Sequence, residues 1–598
     1  MKRIHISKLN LEELQNNNND ILLAGYVENV RDHGDVVFID LNNDSELLQL
    51  IFNPDFKDFE KVKDIKAHST IKVVGKIIHR EDDRINKKIK SGLYELKVSD
   101  LTIVSIAAPL PIDENTLNEN VLLANRNIQL RGSKFQNILK KKSQIMKVMR
   151  NYLEGEDFVE FETPLLTRTT PGGAKDFLTL SSQHEKSVYG LVQSPQMFKQ
   201  LLMTSGFERY YQFAKCFRDE ELRSDRQPEF LQLDIEMSWA EENDVINLIS
   251  GMVNEVEEKV FDSFSKTGIN SSQAIYPYQA VMDKYGSDKP DLRFNLELIN
   301  INDILKDTTF NAFKNIIDNG GVVKTITIPA DHYSKKGRKD IEKFAVSHGA
   351  KGLGYLLITD EGIVSPLTKF LSEEEIEIIM RVSNFDEFDE DFNSTVEKYK
   401  NNRIIYFIAD EVHAANKVCN ELRNKFAKDL GLIQENTRSY LWVYNFPMFE
   451  KKADGNIAPM HHPFTKPYEE DIKAYEAGEI DIYDIGTYSY DLVLNGSEIG
   501  GGSVRIESKE LQEKVFEMLN MSEEDKNSME WFTELFKFGV PEHAGFAMGV
   551  DRFVQKLLNL DTIRDSIPFP KNSSSECSLT NAPSEIDRKQ WKEYGLKI

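Results

Sequence analysis

Between residues 21 and 106 the chain packs five short runs rich in β-branched and aromatic residues: Ile21–Val27, Val36–Leu41, Leu47–Phe52, Ile71–Ile78 and Tyr94–Ile106. Asp32–Asp35 and Asn42–Ser45 punctuate them as turns. Strands this short and this closely spaced predict a small closed β-barrel. Ala107-Ala-Pro-Leu-Pro111 then breaks the pattern, and an acidic linker follows.

An oligonucleotide-binding (OB) barrel is one candidate for this N-terminal domain. At 598 residues the chain is too long for one core, so further domains are expected. Apolar residues at helical spacing (Ile138, Leu139, Ile145, Met146, Met149, Leu153) predict a helix over Phe135–Glu154. Strand-like runs follow at Tyr210–Phe217 and Phe230–Met237, and Tyr285-Gly-Ser-Asp-Lys-Pro-Asp291 marks a boundary. Beyond it, strands Val322–Ile328, Tyr355–Ile358 and Ile404–Ala409 alternate with helices Lys339–Ser347 and Glu373–Val382. Leu441–Phe449 resumes the earlier style. The reading is therefore a barrel (1–108), a linker (109–130), a larger α+β domain in two parts (131–289 and 426–584), an α+β insertion (290–425) and a tail (585–598).

The formal net charge of −24 argues against non-specific nucleic-acid binding over the whole surface, but local fields matter more than the sum. Residues 61–90 hold ten Lys/Arg against four Asp/Glu, and residues 131–150 hold seven basic residues and no acidic one. RNA contact and a solvated basic face are about equally good readings of these stretches. Three scattered cysteines (Cys216, Cys419, Cys577) give no metal or disulfide spacing, so a reducing cytoplasm is the expectation. No membrane span or secretory leader is expected, since neither pattern occurs.

Four segments carry unusual chemistry. Phe161-Glu-Thr-Pro164 reads as a helix–turn–strand corner, because proline forces its predecessor out of the helical region. In Phe217-Arg-Asp-Glu220 through Arg226-Gln-Pro-Glu-Phe230 to Leu233-Asp-Ile-Glu236, arginines and carboxylates alternate in a loop between apolar strand ends. Arginine's planar fork suits phosphate or carboxylate, though a solvated charged hairpin fits the spacing equally well. Asp491 and Glu498 precede the run Gly500-Gly-Gly502 and Arg505. Two carboxylates facing one pocket suit Mg²⁺, and consecutive glycines let backbone approach a ligand closely. Finally, Gly549-Val-Asp-Arg552 opens an apolar helix, where the dipole favours anions. The chain contains neither a GxxxxGK(S/T) phosphate loop nor a GxGxxG fingerprint.

Together these segments resemble the class II aminoacyl-tRNA synthetases, whose three motifs match in order at Phe161-Glu-Thr-Pro164, Phe217-Arg-Asp-Glu220 and Gly549-Val-Asp-Arg552. Within that class the chain resembles the bacterial aspartyl branch, on Gln193-Ser-Pro-Gln-Met-Phe-Lys199, Arg226-Gln-Pro-Glu-Phe230, Met460-His-His-Pro-Phe464 and Gly500-Gly-Gly-Ser-Val-Arg505. The resemblance implies an OB-fold anticodon-binding domain, a catalytic α+β domain on an antiparallel sheet, and an inserted α+β domain. It implies ATP-dependent activation of L-aspartate and transfer to tRNA(Asp), with Mg²⁺ accompanying ATP, in a cytoplasmic homodimer.

Carried over position by position, the resemblance assigns Lys199, Arg505 and His461 to the substrate's side-chain carboxylate, and Ser194 and Gln196 to orienting the amino acid. Arg218 bridges the reacting carboxylate and the α-phosphate. Asp219, Glu220, Gln227, Phe230, Glu498, Gly549, Val550, Asp551 and Arg552 line the nucleotide, with Phe230 stacked under adenine and Arg552 over its other face. Asp491 and Glu498 hold the metal. On the barrel, the resemblance has Phe38 stack on an anticodon base, with Arg31, Gln49 and Glu95 as candidates for base-edge or phosphate contacts.

Two departures stand out. The family carries Glu after Thr-Pro where this chain reads Thr170-Pro-Gly172, which removes the group that meets the substrate ammonium; another acidic group or a water is expected to replace it. The Asp32-His33-Gly34 turn resembles members that also charge tRNA for asparagine. A sister specificity (asparagine or lysine) and a non-catalytic RNA-binding relative are the alternatives. Retention of Arg218, Asp491, Glu498 and Arg552 counts against the second.

Overall fold

The computed structural model describes residues 2–594 apart from 45, 114, 170–173, 185–186, 262–274, 384–401, 435, 453 and 586–593. Gly172 and nearly all of the expected tail thus lie outside the described residues. The chain forms two compact units, one of residues 1–143, 222–227 and 564–586, the other of the remainder.

The first unit contains the barrel. Its strands are β1 (Ile21–Asp32), β2 (Val37–Asn43), β3 (Glu46–Phe52), β4 (Thr70–His79) and β5 (Tyr94–Ser105), closed in the order β1-β2-β3-β5-β4. Pairing is antiparallel except between β3 and β5. Period-two alternation sends Leu23, Val27, Ile39, Leu41, Leu50 and Phe52 into a fully buried interior. β1 runs five residues past Val27, the end expected from the sequence. The polar run that ended the reading still pairs with β2, because a bulge between Val27 and Asn29 shifts the register and keeps the ladder intact.

The second unit is built on an eight-stranded sheet. In spatial order its strands are Ile275–Pro277, Tyr440–Tyr444, Ser489–Leu494, Ser497–Val504, His543–Gly549, Glu229–Ser238, Arg209–Phe217 and Val159–Glu160. The expected antiparallel sheet holds through the middle, and parallel pairs close both edges, so the sheet is mixed. One face is apolar: Leu233, Ile235, Trp442, Tyr490, Phe546 and Met548 pack on helices Glu242–Phe261 and Val550–Leu557 and on Ile145, Met149 and Leu153. Each such side chain, fully removed from water, contributes about 1.5–3 kcal/mol. Because side chains alternate, the residues between them must face the other way. That second face carries the polar groups.

Between two strands of this sheet the chain builds a five-stranded sheet, ordered Ile299–Asn300, Val322–Pro329, Arg403–Asp410, Gly354–Thr359, Gly362–Val364. Apolar clusters cover it on two sides, one around Ile328 and Phe426, the other around Phe313 and Ile379. Its strands contain the expected Val322–Ile328, Tyr355–Ile358 and Ile404–Ala409. The helix expected at Lys339–Ser347 starts at Lys335, because Ser334 Oγ accepts the Gly337 N–H at 3.2 Å and caps it.

Candidate active site

On strand Glu229–Ser238 the residues opposite the core face are Phe230, Gln232, Asp234 and Glu236. Across the sheet Asp234 pairs with Ala547, Glu236 with Gly545, Gly545 with Ser503, and Gly501 with both Ala547 and Asp491. Carboxylates on two strands therefore look across small residues on the strands between them, and Arg505 follows at the end of its strand.

Two fully buried cations meet there. Lys199, from helix Gln196–Thr204, places Nζ 3.2 Å from Asp234 Oδ1 and 3.3 Å from Glu236 Oε2. Arg505 donates Nε to Glu236 Oε1 at 2.9 Å and Nη2 to Oε2 at 3.2 Å. Its Nη1 donates to His462 Nε2 at 2.6 Å and to Ser503 Oγ at 2.7 Å. Burial pushes both carboxyls up; for Glu236 the Arg505 and Lys199 charges win and hold it below the usual range, while Asp234 stays raised. His462 is driven well below its ordinary pKa by burial and by Arg505, so it accepts from the guanidinium as a neutral ring.

Asp234, Glu236 and His462 are the groups the sequence reading left out of the site. The available signal was two charges at period two in an otherwise apolar strand. His461, expected beside the two cations, places Nδ1 3.8 Å from Asp491 Oδ1 with its ring edge-on to Phe446, and it also feels the Arg505 charge. Burial lowers its pKa to about 4.

The three glycines have distinct reasons. A Cβ at Gly501 would sit 2.2 Å from Asp491 Oδ1, and one at Gly502 2.0 Å from the Gly545 carbonyl. At Gly545 it would sit 1.8 Å from Glu236 Oε2. At Gly501 and Gly545 a carboxylate occupies the volume where a side chain would be, and at Gly502 the neighbouring backbone does. Asp491 Oδ1 is buried with no hydrogen-bond partner, and burial followed by the Glu498 charge raises this carboxyl well above its ordinary range. Asp491 and Glu498 with that orphan oxygen are a donor set suited to Mg²⁺, which takes one or two carboxylates and completes its shell from water and phosphates. No group of three or more ligating residues occurs among the described residues.

The remaining expected residues are engaged as follows. Arg218 stands 5.1 Å from the centre of the Phe230 ring, and its N–H donates to Pro228 O at 2.9 Å. The Cys216 thiol is raised chiefly by burial, and the Arg218 and Lys199 charges oppose that rise. Asp219 is held by Lys175 at 3.0 Å, and Glu220 lies half-buried beside it. Ser194 is half-buried just before the helix of Lys199, and Gln196 opens that helix with Nε2 buried and unpartnered. Arg552 Nη1 donates to the Glu498 carbonyl at 2.9 Å. Asp551 accepts the Leu231 N–H at 3.0 Å; Val550 is buried and Gly549 stands at the helix N-cap. In the other unit both ends of the Gln227 amide are engaged by the Lys571 backbone, at 3.1 and 2.7 Å.

On the barrel, the expected polar residues form one ladder. Arg31 grips Asp40 through two bonds at 2.6 and 2.8 Å and donates to Gln49 Oε1 at 3.1 Å; Gln49 in turn donates to Glu95 at 2.6 Å. Phe38 is paired with Arg31 in register and carries the His33 ring edge-on at 5.8 Å. Asp40 belongs to this patch and was not anticipated.

Residues 118–573 match the family model described as tRNA synthetases class II (D, K and N), and residues 21–104 match an OB-fold nucleic acid binding domain. A protein of Lysinibacillus sphaericus named aspartate–tRNA ligase is 38% identical over 604 residues, covering 100% of this chain and 99% of that one. One from Natranaerobius thermophilus, named aspartate–tRNA(Asp/Asn) ligase, is 39% identical over 607 residues, covering 100% of both. Among solved structures, the asparaginyl-tRNA synthetase of Pyrococcus horikoshii complexed with asparaginyl-adenylate superposes with a TM-score of 0.58 at 17% identity, covering 95% of this chain and 98% of that one.

Proposed function

The chain belongs to the class II tRNA synthetases (D, K and N), and from that premise we propose that it activates L-aspartate with ATP and transfers it to the 3′ end of tRNA(Asp). The observation that carries the specificity is the pairing of Lys199 and Arg505 around Glu236. An aspartate carboxylate entering there meets two desolvated cations. Asparagine offers a neutral amide and leaves a buried charge uncompensated, which is costly.

In the first step the substrate α-carboxylate attacks the α-phosphorus in line; the P–O bond to pyrophosphate breaks and aspartyl-adenylate forms. In the second, the terminal ribose hydroxyl of tRNA attacks the activated carbonyl and AMP leaves. No protein nucleophile is needed, since positioning and cationic stabilisation lower the barrier. Arg218 serves the α-phosphate and Phe230 the adenine, and their contact at 5.1 Å supports adjacent roles. Mg²⁺, entering with ATP, would be held by Asp491 and Glu498 and would neutralise phosphate charge. Gln196, with its unpartnered amide, and Ser194 orient the amino acid. Asp234, whose Oδ1 meets Lys199 and whose Oδ2 has no hydrogen-bond partner, is the acidic group that would meet the ammonium in place of the missing Glu.

The barrel patch of Arg31, Phe38, Gln49 and Glu95 reads the anticodon, because unstacked bases are bound on aromatic platforms flanked by polar groups. Segments 1–108, 131–289 with 426–584, and 290–425 are the anticodon-binding, catalytic and inserted domains of a cytoplasmic homodimer. A second reading adds tRNA(Asn): the His33 ring lies against Phe38, and one relative carries the dual name. Aminoacylation of purified tRNA(Asp) and tRNA(Asn) with labelled aspartate tests both. Charging of tRNA(Asp) alone leaves the first reading, charging of both adds the second, and charging of neither removes the function.

A further inference from the structure

We propose that His543 is a positioning residue for aspartate selection: it ties the helix of Lys199 to the strand end of Arg505 and so sets how the two cations stand to one another. The inference deepens the reading of this chain as an aspartate-activating synthetase and rests on it.

His543 opens strand His543–Gly549 and is fully buried. Its backbone serves one cation: the His543 carbonyl accepts the Arg505 N–H at 2.9 Å. Its ring serves the other. Nδ1 donates to the Pro541 carbonyl at 2.8 Å, which holds the ring in place, and Nε2 lies 3.2 Å from Oε1 of the Gln200 amide. Gln200, also fully buried, follows Lys199 on helix Gln196–Thr204. Its amide nitrogen reaches back to the Gln196 carbonyl at 3.5 Å.

Strand His543–Gly549 meets three charged groups of the pocket. Lys199 Nζ lies 3.5 Å from the Phe546 carbonyl. Gly545 pairs with Glu236, and its missing Cβ leaves room for the Glu236 carboxylate. With the His543 carbonyl on Arg505, the strand frames the pocket, and the His543 ring links that frame to the helix. A substrate carboxylate must meet both cations at once, so it reads their spacing. Misplacement on the ångström scale costs about 100-fold in rate.

Apolar contacts along the helix do not set that spacing. Met197 and Leu201 pack on the cluster of Phe464 and Phe532, and burial of this kind is non-directional. A hydrogen bond weakens steeply as its angle falls, so the paired ring and amide fix rotation of the helix as well as distance. Lys199 stands about 100° around the helix from Gln200, so a turn that breaks the bond also swings the ammonium away from Asp234 and Glu236. Both partners are fully buried, and removing either leaves the other without its hydrogen bond.

The test uses the full chain. His543→Ala, His543→Gln, Gln200→Ala and the double alanine variant are compared with wild type in ATP–pyrophosphate exchange, with urea unfolding alongside. Each alanine variant is expected to raise KM for aspartate about tenfold, the loss of one buried hydrogen bond, with KM for ATP within about twofold. The double variant should be no worse than either single, because both remove the same bond. His543→Gln, whose carboxamide reaches the place of Nε2, should recover most of the loss. A role in folding alone would lower stability and move both KM values together. If His543→Ala does not fold, Gln200→Ala and His543→Gln carry the test. KM for aspartate unchanged in Gln200→Ala, both KM values raised alike, or losses that multiply to about 100-fold in the double variant overturn the proposal. A wild-type chain that shows no exchange with aspartate overturns the aspartate assignment and this proposal with it, so the two failures are told apart.

Discussion

Arg505 holds both oxygens of Glu236, Nε at 2.9 Å from Oε1 and Nη2 at 3.2 Å from Oε2, in a site where neither side chain meets solvent. Lys199 then shares Oε2 at 3.3 Å, so one carboxylate aligns two cations carried by elements more than 300 residues apart. Glu236→Gln keeps the shape and removes the charge. It should cost about 3–5 kcal/mol in denaturant unfolding, as for one partner lost from a buried pair. KM for aspartate should rise more than KM for ATP.

Gly501→Ala introduces a Cβ 2.2 Å from Asp491 Oδ1. Either that carboxylate or the strand must move. A displacement on the ångström scale at a reacting site costs about 100-fold in rate, and exchange assays with a Mg²⁺ titration should show that loss together with a higher Mg²⁺ requirement. Far-UV circular dichroism should remain native.

Glu242, at the start of helix Glu242–Phe261, has its carboxyl pushed up to about 7 by burial. The fold therefore favours the neutral form. Its contribution is full below the unfolded carboxyl pKa of about 4.3 and is lost as pH rises through about 7. Glu242→Gln should match wild-type stability near pH 4.5 and exceed it at pH 8 by up to about 3 kcal/mol. Urea titrations at the two pH values read this directly. Equal curves at both would show that the wild-type carboxylate ionises without cost.

Phe38→Ala and Arg31→Ala should weaken tRNA and nothing else. Removing one stacking platform costs about 1–3 kcal/mol, so KM for tRNA in aminoacylation should rise at least fivefold with Phe38→Ala. Pyrophosphate exchange, which needs no tRNA, should be unchanged in both variants.

Much of this was readable before any coordinates. Five short strand signals implied the barrel, because turn residues and strand alternation are local properties, and the motif order carried the resemblance to the class II family whose model matches residues 118–573. The parts that escaped are non-local. Asp234 and Glu236 read equally well as a solvated hairpin, since Arg505, which holds Glu236, lies 269 residues beyond it. His461 and His462 are neighbours whose rings face different partners, Asp491 and Arg505, and spacing cannot assign which is which. Strand β1 overran its expected end because backbone pairing with β2 outweighed a polar run. Gln200 and His543 belong to no motif; their meaning comes from a contact across 343 residues.

The central claim, that Lys199 and Arg505 select an acidic side chain, is tested most directly by pyrophosphate exchange with ATP and each of aspartate, asparagine and lysine in turn. The account predicts exchange with aspartate alone. Exchange with asparagine or lysine in its place, or with none of the three, contradicts it.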